Sequence, residues 1–146
     1  MKFKLILDTQ KEEEVVVTAH APSSLTAQIE ALVLQHAGLD RITAYTEDEI
    51  TMLAFDQIEC ITVLDGKTWA IDSNGNRLRL KQRLYELEQI LPPSFIRINK
   101  SALANETRLK QFSTAFNGAV DAVFLCGYRE YVSRRCFAEL KRRYHL

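Results

Sequence analysis

The segment LPPSFIRINKSALAN, Leu91 to Asn105, decides how the rest of the chain is read. Pro92 and Pro93 lack amide protons and their rings clash with a preceding helical turn, so a helix arriving from upstream stops here. Beyond them the sequence alternates. Ile96 and Ile98 fall on one side and Phe95, Arg97 and Asn99 on the other, which is the period of a half-buried strand. At Asn99-Lys100-Ser101 the alternation fails, and an amide, an ammonium and a hydroxyl stand in a row. These are donors suited to base edges and phosphate oxygens. A strand that ends in a plain polar turn is the simpler reading of the same residues.

Working outward, Leu80, Leu84, Leu87, Ile90 and Leu91 have helical spacing and predict one helix that crosses the strands until the prolines stop it. Upstream of it, Glu59–Leu64 and Thr68–Asp72 flank Asp65-Gly66-Lys67, a hairpin signal. Asn74-Gly75-Asn76 makes a second turn before a short strand at Arg77–Leu80. Downstream, Asn117-Gly118 separates Phe112–Phe116 from Ala119–Leu125, and Cys126-Gly127-Tyr128 turns into Glu130–Val132. Ser133 suits the N-cap of a last helix with Phe137, Leu140 and Tyr144 on one face. In the first fifty residues, Phe3–Leu7 and Val15–Ala19 read as strands around a polar loop at Asp8–Glu14. Pro22-Ser23-Ser24 opens a helix bearing Leu25, Ile29, Leu32 and Val33, and Gly38 ends it. Arg41–Tyr45 reads as a further strand, followed by the acidic Glu47-Asp48-Glu49. The expectation is an α+β chain: an acidic appendage over 1–48, then a strand-rich domain over 49–146, with a soft boundary and no repeat or linker.

The motifs resemble the LytTR DNA-binding domain of bacterial transcription regulators. The leucine helix LKQRLYELEQ is followed by Leu91, Pro92, Phe95, Arg97, Ser101 and Asn105 at the family's spacing, and later by YVSRRCFAELKRR with Val132, Ser133, Arg134 and Arg135. The likeness covers roughly Ile50 to Leu146. It implies an elongated β fold that reads DNA with loops and strand ends. Carried over position by position, it implies base contacts in successive major grooves from Lys67, Lys100 and Arg135. Arg135 can donate two hydrogen bonds to one guanine, whereas an ammonium at Lys67 or Lys100 meets a guanine edge or a phosphate alike. Many relatives carry His or Asn at those two positions. Phosphate contacts would come from Arg97, Ser101, Ser133 and Arg134, with Arg79, Lys81 and Lys110 behind them. Each has a plainer role open to it: Ser133 as a helix cap, Asn105 as a buried turn residue, Arg142-Arg143 as solvated charge, and Phe95, Phe137 and Trp69 as core.

Composition agrees with a soluble domain of one core. At 146 residues, 47% hydrophobic and 26% charged, the chain can bury about two thirds of its unfolded surface without a disulfide or metal. Three cysteines and no Cys-x-x-Cys pair suit reduced thiols in the cytoplasm. No apolar run is long enough for a signal peptide or a membrane span. The formal charge of zero hides a division: 4 Lys/Arg against 12 Asp/Glu in residues 1–66, and 15 against 7 in residues 67–146. The basic half favours an anionic partner, nucleic acid foremost. The acidic half suits another protein or a second copy, and a homodimer is the expectation here.

Sharper-looking signals do not hold. Gly66-Lys67-Thr68 mimics the end of a phosphate-binding loop, but Ile61 stands where the first glycine is needed. Asn99-Lys100-Ser101 and Asn105-Glu106-Thr107 match the glycosylation sequon, which has no meaning without secretion. His20, His36 and His145 are scattered, and no nucleophile, metal or cofactor constellation is visible. The expectation is therefore a cytoplasmic, non-enzymatic regulator that binds double-stranded DNA. About fifty residues ahead of the domain are too few for a receiver. By resemblance, a small membrane protein is a candidate regulatory partner. A protein-interaction adaptor and an RNA-binding module are the rival readings.

Overall fold

The chain divides into two compact units, Met1–Gly38 and Leu39–Leu146. The computed structural model describes residues 1–36 and 40–146. In the first unit, helix α1 spans Ser24–His36. Its start is capped reciprocally: Thr26 N donates to Ser23 Oγ at 3.3 Å, and Ser23 N donates to Thr26 Oγ1 at 2.9 Å. Gly38, expected to end this helix, lies outside the described residues. The strands expected at 3–7 and 15–19 are not formed, and both segments are exposed. The chain does turn at Thr9-Gln10, where Asp8 Oδ1 accepts from Gln10 N at 2.9 Å. Strand propensity describes side chains that fit a pleated, half-buried surface, and here no neighbouring strand supplies one.

The second unit is built on two antiparallel sheets. The larger contains β1 (Arg41–Tyr45), β2 (Ile50–Ala54), β3 (Ile58–Leu64), β4 (Lys67–Asp72), β5 (Arg77–Leu80), β6 (Phe95–Asn99) and β7 (Ala102–Asn105). Their order is β2-β1-β5-β4-β3-β7-β6. The boundary read after residue 48 leaves β1 with the appendage, whereas the ladder joins β1 to β5 through Tyr45 and Arg79. Between β3 and β4, Asp65 (φ 53°) and Gly66 (φ 73°) both take left-handed conformations. This is the two-residue turn whose twist matches a hairpin. Lys67 is thus the first residue of β4, opposite Leu64.

Helix α2 spans Leu84–Ile90, shorter than its leucine spacing predicts. Leu80 fits both the helical and the strand period, and pairing with Thr68 takes it into β5. The smaller sheet orders β10 (Arg129–Val132), β9 (Val120–Phe124) and β8 (Leu109–Thr114). Helix α3 then runs over Arg134–Tyr144.

Strand neighbours point to opposite faces, and both faces of the large sheet are covered. Ile61, Leu80 and Leu103 join Leu84 and Leu87 of α2 in one cluster, with Phe95 packed against it. Cys60, Ile71 and Ile98 join Phe124 and Val132 of the small sheet and Leu140 of α3 in the other. Phe137 meets Phe112 edge-on at 5.6 Å between ring centres, which seats α3 on β8. Trp69, expected in the core, is only half-buried, and the guanidinium groups of Arg77 and Arg79 lie 5.1 and 5.9 Å from its ring.

Two buried polar groups pin the segments that have no ladder. Asn105 donates to the carbonyls of Ile58 (2.8 Å) and Phe55 (3.4 Å), and accepts from Thr107 N at 3.1 Å. The fully buried Glu59 accepts from Arg108 and, at 2.7 Å, from Cys126 N. It thereby ties β3 to the connection between the sheets.

Candidate nucleic-acid interface

Three chain segments converge on one end of the second unit. Lys100 and Ser101 form the tight turn between β6 and β7. On one side of that turn, Val63 N donates to Ser101 O at 2.9 Å, which brings in the β3–β4 hairpin just short of its tip. On the other side, Ser133 N donates to Ile98 O at 2.9 Å. Asn99 Nδ2 also donates to Tyr131 O at 2.6 Å, and together these bonds bring in the start of α3. The rim therefore runs from the Lys67 hairpin through the Lys100 turn to Ser133-Arg134-Arg135.

The side chains on this rim divide into free and engaged groups. Lys67, Lys100, Arg134 and Arg135 are exposed. Arg135 is 91% exposed, with Glu139 at 3.9 Å one turn along the helix. Ser133 Oγ accepts from Cys136 N at 3.2 Å, as an N-cap does. The first amides of α3 and its partial positive charge face the same end as Arg134 and Arg135, a disposition that suits an anion. Lys81 follows Leu80, the partner of Thr68, and so lies at the Lys67 end of the sheet. Its ammonium is 4.4 Å from the Tyr45 ring centre.

Other predicted contacts lie elsewhere or are already occupied. Arg97 pairs with Glu88, and its second nitrogen donates to Lys100 O at 2.8 Å, so this guanidinium braces the turn from within. Arg79 is half-buried over Trp69. Lys110 is exposed on β8 but four residues from Thr114, the end that meets Val120 and hence Val132. That separation is about 14 Å.

The turn depends on residues whose part was not legible. Asn99, read as a donor for nucleic acid, is 6% exposed and fully engaged. Its Oδ1 accepts from Ser101 N at 2.7 Å while its amide reaches Tyr131 O. Glu130 is a second hub, accepting from Tyr128 OH (2.5 Å), Thr62 Oγ1 (3.3 Å) and Asn99 Nδ2 (3.3 Å). Burial and then the Glu130 carboxylate push the Tyr128 phenol well above its ordinary pKa, so it remains a donor. Burial likewise raises the thiols of Cys60 and Cys126. An asparagine before a turn is a local signal for the Ser101 bond. The bonds to Tyr131 and Glu130 span more than thirty positions and leave none.

A basic rim held on a two-sheet scaffold, with the amino end of a helix beside it, is a surface whose chemistry suits an anionic polymer such as nucleic acid. The LytTr DNA-binding domain family matches residues 48–145, and the chain belongs to it: it is a LytTR DNA-binding transcriptional regulator. It is 30% identical, over 98% of its length and 97% of theirs, to uncharacterised HTH-type transcriptional regulators of Staphylococcus aureus strains MSSA476 and MW2. The likeness to these proteins thus extends through the N-terminal unit, which the family match does not reach. The fold is similar to the LytTr DNA-binding domain of a Bacillus cereus protein, with a TM-score of 0.66 and 22% identity over 73% of this chain and 98% of that one. The described residues contain no helix long and apolar enough to cross a membrane. They also hold no cluster of three or more His, Cys, Asp or Glu placed for a metal.

Proposed function

We propose that this regulator reads a specific double-stranded DNA sequence with the rim described above. Lys67, Lys100 and Arg135 meet base edges in successive major grooves, and the chain acts in the cytoplasm as a homodimer. The reading rests on one observation: three distant segments are tied side by side by the Val63–Ser101, Ser133–Ile98 and Asn99–Tyr131 bonds, each ending in an exposed cation. Arg135 discriminates best, because its planar fork can hold O6 and N7 of one guanine. Arg134, Ser101, Lys81 and the capped amino end of α3 around Ser133 position the phosphate backbone. Arg97 and Arg79 act from within by supporting the turn and the sheet. The acidic N-terminal half serves protein contacts: a second copy, and a regulatory partner that restrains DNA binding.

Selection from a random duplex library followed by gel shifts at graded salt tests the reading. About six phosphates neutralised per dimer give a slope of log affinity against log salt near roughly −5. Enrichment of no duplex sequence overturns it. A preference for single strands or loops would make the chain an RNA binder, and no affinity for either polymer would make it an adaptor.

A further inference from the structure

The N-terminal unit is chemically unlike the rest of the molecule. Among the described residues, eleven of the twenty exposed large hydrophobic side chains lie in the first 36 residues and nine in the 107 from Asp40 on. Phe3 is 91% exposed, Leu7 87% and Val16 75%. A piece of fewer than about 40 residues seldom buries a core of its own, and without disulfide or metal it needs oligomerisation. This unit has no cysteine. A stable interface takes about 800 Å² from each partner, and exposed apolar side chains are what such a surface is built from.

The sequence of the arm also states a register. Lys2 and Lys4 precede Leu5-Ile6-Leu7, and Glu12 and Glu14 precede Val15-Val16-Val17, ten positions later. Laid side by side in the same direction, the two segments match Lys2 to Glu12, Lys4 to Glu14, and the apolar triplets to each other. Within one chain this parallel pairing is closed off, because parallel strands need a crossover of a dozen or more residues. Only Asp8 to Lys11 are available here. The chain bends at that point, yet the segments carry no ladder.

We infer that residues 2–17 form the seam of a homodimer, in which Lys2–Leu7 of each copy pairs in parallel with Glu12–Val17 of a second copy. Two crossed pairings related by a twofold axis satisfy both segments of both chains, and an arm without a ladder becomes part of a shared sheet. Pairing supplies the backbone partners that each segment lacks and covers the exposed triplets. It deepens the homodimer named in the proposed function but does not depend on DNA being the ligand.

Sedimentation equilibrium of the full chain tests it, with amide hydrogen exchange as a second readout. The expected result is a particle of twice the 16.8 kDa chain mass, with protected amides at 5–7 and 15–17. Val16→Asp should return it to single mass and abolish that protection, while the melting of residues 40–146 is unchanged. Lys4→Glu should weaken association several-fold, and Lys4→Glu/Glu14→Lys should restore it. A wild-type monomer, a Val16→Asp dimer, or arm protection that persists in a monomer overturns the seam. Failure of the charge swap to rescue overturns the parallel register. Dimers that bind no duplex support the seam and remove the DNA reading alone.

Discussion

The side-chain amide of Asn99 donates at 2.6 Å to the backbone carbonyl of Tyr131, 32 positions later. With it, the turn carrying Lys100 is clamped to the strand that delivers Arg135. Asn99 is 6% exposed, so truncating it removes its part-buried bonds to Tyr131 O and Ser101 N, a loss of about 1–3 kcal/mol. Asn99→Ala should lower the denaturation midpoint by that amount and weaken cognate DNA binding. Lys100→Ala should weaken binding with stability intact. Equal stability of the two variants would show that the clamp carries no energy.

Arg135 stands free of the fold, so Arg135→Ala should leave the melting temperature unchanged. On the selected site it should cost about 1–3 kcal/mol and relax preference at one base pair. The measurement is a competition gel shift with cognate and random duplexes. An equal loss on both would reduce Arg135 to a phosphate contact.

Glu59 is fully buried and answers the charge of Arg108. Breaking such a pair from one side leaves an uncompensated charge, at a cost of about 3–5 kcal/mol. Arg108→Ala should therefore destabilise strongly in urea titrations. Glu59→Leu/Arg108→Leu should cost less than Arg108→Ala alone, because no charge remains buried. The reverse order would mean that water reaches Glu59.

Acid should weaken the contact between the turn that joins β7 to β8 and the end of α3. Burial works to raise the Glu106 carboxyl, but hydrogen bonds from Arg143 and Tyr144 and the Arg143 charge hold it below its ordinary value. A depressed folded pKa stabilises above the unfolded value and loses that contribution as pH falls through the folded one. Glu106→Gln should therefore be less stable than wild type at pH 7, by less than about 1 kcal/mol for so exposed a pair. The difference should begin to shrink as pH drops below the unfolded carboxylate pKa of roughly 4.3 and vanish only below the lower folded value. A difference constant with pH would exclude the ion pair as its source.

The second unit was largely legible in the chain because its signals are local. Asp65-Gly66 can hardly do other than make a tight hairpin, Pro92-Pro93 must stop α2, and Ser133 caps α3 as its spacing predicts. The exposed cations Lys67, Lys100 and Arg135 were legible too, since motif spacing marks a position before any fold is known. What failed was arbitration between periods. Leu80 satisfied helix and strand alike, and only its pairing with Thr68 decided. Phe3–Leu7 and Val15–Ala19 carry strand-forming side chains, but a strand exists only where another backbone offers a ladder.

By itself the sequence determined the turns, the caps, the division of charge and the family motif, all set by bonds and sterics within a few residues. Tertiary structure alone decided which cations are free. Arg97 and Arg135 look alike in the chain, yet one is spent on Glu88 and the Lys100 carbonyl while the other projects into solvent. The reason is physical: a side chain's partners come from segments that only folding brings within hydrogen-bond reach. No pattern of neighbours along the chain encodes them.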